Sequence, residues 1–91
     1  MSLIVCGRIV DDIPKSIYMD IGNRALKRLG KRIAMLRKEQ GYSQEAFAYE
    51  VDLARSYVSG VERGARNLSF KIVARIAKTL DVSISELCQG V

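Results

Sequence analysis

Residues 44 to 63, Gln-Glu-Ala-Phe-Ala-Tyr-Glu-Val-Asp-Leu-Ala-Arg-Ser-Tyr-Val-Ser-Gly-Val-Glu-Arg, restrict the fold more than any other stretch of this chain. They leave room for two short helices and a tight turn. Apolar residues recur at helical spacing in each half: Phe47, Ala48 and Val51 in the first, Ala54, Val58 and Val61 in the second. Each helix then carries one apolar stripe and must bury it against other helices. Asp52 falls at the turn, where Asp tolerates left-handed backbone, although glycine would cost less.

The second helix of this pair keeps Arg55, Ser56, Ser59, Gly60 and Arg63 away from its apolar stripe. A short helix with a small, polar and basic outer face has the shape and chemistry to enter the major groove of duplex DNA. The flanking sequence supplies the scaffold. A longer helix is expected from Asn23, as its cap, to about Gln40. Its apolar residues Leu26, Leu29, Ile33 and Leu36 are three and four apart, and Gly41 ends it. Ser43 caps the helix over 44–51, and the next runs from about Arg55 to Arg63, stopped by Gly64. After a loop over 65–68, Ser69 caps a fourth helix reaching about Leu80, with Ile72, Val73, Ile76, Ala77 and Leu80 in one stripe. Ser83-Ile84-Ser85-Glu86 is a capping box that starts a last short helix burying Ile84 and Leu87.

The expected architecture is therefore all-α, a compact five-helix domain over 23–91. Residues 1–22 form an N-terminal arm, extended or irregular. Leu3-Ile4-Val5 and Ile9-Val10 favour an extended segment, Asp11-Asp12 and Pro14 break it, and Ser16 to Ile21 is ambiguous. The arm could pack on the domain or on a second subunit, or be loosely ordered.

Charge is distributed unevenly. The chain has a net charge of +5 and a pI near 9.5, which suits an anionic partner. Residues 23–40 hold seven basic side chains (Arg24, Lys27, Arg28, Lys31, Arg32, Arg37, Lys38) against Glu39 alone, so they carry +6. These cations either form a solvated helix face or attract phosphates at long range without specific contact.

Several function classes are disfavoured. The chain has no histidine, so the commonest general base and metal ligand is missing. There is no phosphate-cradling glycine loop and no nucleophile–base pair, which argues against an enzyme and against a cofactor or metal. Cys6 and Cys88 stand near opposite ends without a Cys-x-x-Cys pair, and read as reduced thiols in a cytosolic protein. No apolar run is long enough to span a membrane, and Arg8 interrupts the short Leu3–Val10 segment. The expected location is cytoplasmic.

The run Leu29-Gly-Lys-Arg-Ile-Ala-Met-Leu-Arg-Lys-Glu-Gln-Gly-Tyr-Ser-Gln-Glu-Ala-Phe-Ala48 resembles the first two helices of the XRE family, the Cro and phage-repressor type of helix-turn-helix regulator. Ser59-Gly-Val-Glu-Arg-Gly64, Ile76-Ala-Lys-Thr-Leu80 and Val82-Ser-Ile-Ser-Glu-Leu87 follow in the family's order and extend the likeness from Leu29 to Cys88. The run Arg55 to Asn67 is similar to that of the small controller proteins of restriction–modification systems, and many other family regulators carry nearly the same run.

The resemblance implies a role for each residue of the motif. Gln44 would bond a phosphate beside the free N–H groups of its helix, and Ser43 would cap that helix and also touch DNA. Arg55 and Ser56 take the leading positions of the recognition helix, where an Arg can grip guanine O6 and N7. Tyr57 would reach the backbone or a thymine methyl, or pack inward, and Ser59 would bond a base or phosphate. Gly60 replaces a long polar reader and so removes one expected contact. Arg63, Arg66 and Asn67 would meet the DNA backbone, with Arg66 also able to reach a base. Arg37 and Glu62 would form a structural pair that braces the recognition helix.

The function implied is a sequence-specific transcriptional regulator binding double-stranded DNA. It would act as a homodimer on a palindromic operator, since one short helix reads few base pairs. The last helix with Leu87-Cys88, or the N-terminal arm, would form the dimer surface. The competing reading is an antitoxin-like interaction module that masks a partner protein, with Leu3–Val10 as its docking strand.

Overall fold

The computed structural model describes residues 15–91, with side chains from Asp20 onward. The Leu3–Val10 segment, Cys6 and the Asp11–Pro14 break lie outside the described residues. Five helices follow in order: α1 (Lys15–Glu39), α2 (Gln44–Val51), α3 (Arg55–Glu62), α4 (Phe70–Thr79) and α5 (Ile84–Leu87). No strand occurs among the described residues.

The start of α1 corrects the sequence reading. The helix begins at Lys15, not at Asn23, so residues 15–22 belong to its first turns and not to an irregular arm. Nothing between Lys15 and Ile21 breaks a helix. Gly22 in mid-helix costs only about 1 kcal/mol relative to Ala. Arg24 meets Asp20 one turn earlier at 3.1 Å, a pairing that only a continuous helix allows.

Three of the other helix starts and four helix ends follow one rule, while α3 starts after Ala54 without a side-chain cap. Ser43, Ser69 and Ser83 each accept a bond from a backbone N–H three residues on, and Glu86 returns the bond to complete the capping box at α5. At the far ends Gly41, Asp52, Gly64 and Asp81 all take left-handed backbone, with φ of 80°, 57°, 74° and 56°. The residue after each donates its N–H back across the final turn, as Leu53 does to the Ala48 carbonyl and Val82 to that of Ala77. Tyr42, Leu53 and Val82, brought round by these turns, pack on the core. The left-handed Asp81 gave no signal separable from an ordinary helix end.

Leu29, Ile33 and Leu36 of α1 meet Phe47 and Val51 of α2, Val58 and Val61 of α3, and Ile76 of α4 in one core. Leu80 and Leu87 are fully enclosed in it. Ala54 is an exception to the expected stripe. It is exposed as the N-terminal flank of α3, because the stripe needs only Val58 and Val61 to reach the core.

The position of α3 depends on a close approach. A Cβ at Gly30 would lie 2.5 Å from the carbonyl oxygen of Val61 and 2.6 Å from that of Glu62. The backbone of α1 thus rests directly on the C-terminal end of α3. Gly30→Ala is expected to force the two helices apart and lower stability by about 1–3 kcal/mol, as overpacking does. A urea unfolding midpoint checks this, and an unchanged midpoint would contradict the contact.

Candidate nucleic-acid interface

Among the described residues Arg37 is the one buried charged residue, only 6% exposed. Its Nε donates to Glu62 Oε2 at 2.7 Å and its Nη2 to Glu62 Oε1 at 3.1 Å, a two-point grip on a side chain itself 7% exposed. Its Nη1 donates to the Tyr42 carbonyl at 2.8 Å. Gln44 Nε2 then donates to Glu62 Oε1 at 3.0 Å, and the amide orientation follows because a carboxylate only accepts. One carboxylate therefore joins α1, the α1–α2 turn, the start of α2 and the end of α3. Burial of the pair is tolerable because each charge is matched by hydrogen bonds.

This network alters the expected use of Gln44. The sequence reading assigns its side chain to a phosphate, whereas here one amide N–H is committed to Glu62. Its second N–H stays available, whereas the Ala46 amide of the α2 N-terminus is taken by the Ser43 cap. Ser43 is exposed, and its hydroxyl oxygen accepts from Ala46 N at 3.0 Å, which leaves the hydroxyl proton to donate.

Held by that network, α3 presents Arg55 and Ser56 to solvent, with Ser59 half-buried beside them. The Arg55 guanidinium is about two-thirds exposed and lies 3.7 Å from Glu45 Oε1, itself 75% exposed. At that distance and exposure the pair is weak and does not commit the Arg55 guanidinium. Glu45 was absent from the sequence reading. It follows Gln44 directly and becomes a neighbour of Arg55 only when α2 and α3 fold across the turn.

Gly60 differs most from expectation. The sequence places it on the open outer face, whereas it is buried. A Cβ there would lie 3.0 Å from Cγ and 3.3 Å from Nε of Arg66. The arm of Arg66 crosses α3 at this notch, and its guanidinium lies 5.5 Å from the centre of the Tyr57 ring. Tyr57 is half-buried against the core, with its ring supporting Arg66. A residue from the loop after α3 thus fills the space left by the missing side chain at position 60. No local pattern links residues 60 and 66, so the sequence carried no sign of it.

Arg63 is exposed as the C-terminal flank of α3. Asn67, also exposed, lines a groove along α1 together with Asn23, Leu26, Leu29 and Val91. It is therefore apart from the Arg55 face. Leu87, expected at a dimer surface, is enclosed in the core, because α5 turns it inward with Ile84 partly buried beside it. Cys88 is a half-buried free thiol packed on the same core. Among the described residues no cluster of His, Cys, Asp or Glu could hold a metal.

The Helix-turn-helix family profile matches residues 33–87, the span from mid-α1 to the end of α5. The chain belongs to the XRE-type helix-turn-helix family. It is 43% identical over 61 residues to the control protein C.MunI of Mycoplasma sp, covering 66% of this chain and 82% of that protein. Its fold matches the restriction–modification controller protein C.AhdI from Aeromonas hydrophila with a TM-score of 0.68. There the identity is 44% and the coverage 70% of this chain and 97% of C.AhdI. It also matches the controller C.Esp1396I, solved as a tetramer with its natural 35 base-pair operator, at a TM-score of 0.65 and 38% identity. That match spans 71% of this chain and 90% of C.Esp1396I. In this helix-turn-helix chain α2 and α3 are the motif, and the Arg37–Glu62 pair sets its angle to α1.

Arg37→Met, which leaves Glu62 buried without its cation, is expected to cost about 3–5 kcal/mol of stability. Arg37→Met combined with Glu62→Leu should recover most of that loss. Equilibrium unfolding of the three variants checks the cycle, and equal losses in the single and double variants would sink the pairing argument.

Proposed function

We propose that this protein is a sequence-specific DNA-binding transcriptional regulator of the restriction–modification controller type, acting as a homodimer on a palindromic operator. The observation that carries the reading is the exposed Arg55–Ser56 face of α3, presented by a helix whose far end is locked through Glu62 to α1 and α2. A rigid short helix with an exposed guanidinium at its leading end is suited to paired hydrogen bonds with guanine in the major groove. Similarity to C.MunI and C.AhdI supports the controller role, and the operator-bound C.Esp1396I tetramer supports assembly on DNA.

In this reading Arg55 and Ser56 read bases, and Ser59 approaches a base or phosphate. Arg66, laid across Gly60 and supported by Tyr57, is a second guanidinium on the same face. Ser43, Gln44 and Arg63 hold the phosphate backbone, with Asn67 at the edge of the contact. Each subunit reads one half-site, and two half-sites about 34 Å apart match one turn of the duplex. Of the two proposed dimer surfaces, the C-terminal one would use the exposed Ser85, Gln89 and Val91 in place of Leu87. The chemistry is binding and not catalysis, with no cofactor required, and the site of action is the cytoplasm.

Selection of bound sites from a random duplex pool should return a palindrome. On the selected site Arg55→Ala should lose about 1–3 kcal/mol of discrimination at one base step, while Arg63→Ala should weaken all sequences alike. Mobility shifts on matched and mutated duplexes read both. Retention of full discrimination by Arg55→Ala would refute the assignment.

A further inference from the structure

The cations of α1 do not share one role. Arg37 is committed to Glu62, and Arg24 is paired with Asp20. Arg32 turns away from α3, donating to the Glu86 carbonyl at 3.0 Å through Nη2 and at 3.3 Å through Nε. Lys27, Arg28, Lys31 and Lys38 are exposed, and none has a carboxylate within ion-pair distance among the described residues; of these, Lys27 and Lys31 lie one helical turn apart.

Their position gives them a context. The loop after α3 passes directly over Lys27: a Cβ at Gly64 would lie 2.7 Å from both Cα and Cγ of that lysine. The left-handed backbone of Gly64, φ 74°, permits this crossing. Asn67, at the other end of the same loop segment, lines a groove with Asn23, Leu26 and Leu29 of α1. Residues 63–67 therefore run along the N-terminal half of α1, and their own charged residues are the exposed Arg63 and Arg66. Lys31 follows Lys27 at the i,i+4 spacing that sets two side chains about 5–6 Å apart on one helix face. Lys27 and Lys31 of α1 and Arg63 and Arg66 of the crossing segment thus bring four exposed cations to the region where α1 meets the end of α3.

We infer that Lys27 and Lys31 bind the DNA phosphate backbone flanking the half-site, extending the contact beyond the helix-turn-helix. The inference rests on the DNA-binding reading above and adds a surface on α1 to it. The occupant is indicated by charge complementarity and by the loop cations brought to the same region. Phosphate contact of this kind adds affinity and salt dependence without sequence information.

The test compares binding of the full chain to a labelled duplex selected from the random pool and to a scrambled duplex of equal length, across a salt series. Lys27→Gln/Lys31→Gln keeps the aliphatic stems and removes two charges. Arg28→Gln/Lys78→Gln removes the same charge from other exposed positions. Each phosphate contact contributes about 0.9 to the slope of log K against log salt, so the first variant should flatten the slope by about 2. It should retain the wild-type preference for the selected duplex. The control should change the slope far less. An unchanged slope in the Lys27/Lys31 variant overturns the inference, and so does an equal change in the control, which would reduce the effect to net charge. If the wild-type chain does not distinguish the selected from the scrambled duplex, the DNA-reading function itself fails and the inference falls with it.

Discussion

The geometry of the DNA-facing surface depends on one ion pair. Glu62 stands at the last position of α3, and its two oxygens accept from Arg37 of α1 and from Gln44 of α2. Each charge would be costly to bury alone, and together, with every polar contact satisfied, they form a rigid joint. Arg37 also holds the Tyr42 carbonyl, so the joint includes the α1–α2 turn. An eight-residue helix such as α3 has little intrinsic stability in water, so its direction must come from tertiary contacts. The joint, with Val58 and Val61 in the core, supplies them. Loss of the ion pair would therefore displace α3, and with it the exposed Arg55–Ser56 face.

Small residues set the other half of that geometry. At Gly30 the backbone of α1 meets the final carbonyls of α3, and at Gly64 the following loop meets the backbone of Lys27. Gly60 performs a third approach, in which side chain meets backbone as Arg66 passes over α3. Contact with backbone at Gly30 and Gly64 excludes even a methyl group, whereas at Gly60 the flexible Arg66 would have to shift. The glycines bring α1, the end of α3 and the following loop together, and solvent exposure screens the repulsion between their cations.

The basic character of α1 therefore has several physical meanings. Arg37 is structural, Arg32 satisfies the Glu86 carbonyl of α5, and Lys27 and Lys31 face solvent near the end of α3. A count of charges over residues 23–40 treats all seven alike. Only burial and partners distinguish a cation that holds the fold from one able to meet phosphate.

The sequence alone determined the helices and their ends, because these depend on neighbours a few residues apart. Ser43, Ser69 and Ser83 cap, Gly41 and Gly64 stop, and the apolar spacing of Ile72 to Leu80 selects the buried face of α4. The family motif carried the Arg37–Glu62 pairing and the exposed Arg55–Ser56 face. Residues 15–22 escaped this reading because their helical preference is weak and Asn23 offers a plausible local cap. Tertiary structure decided what depends on distant contacts: Gly60 covered by Arg66, Glu45 beside Arg55, Gln44 turned to Glu62 and Leu87 withdrawn into the core. Those contacts join residues that share no helical period. They exist only once α1 has settled on the end of α3, with Gly30 admitting the approach and the Arg37–Glu62 joint holding it.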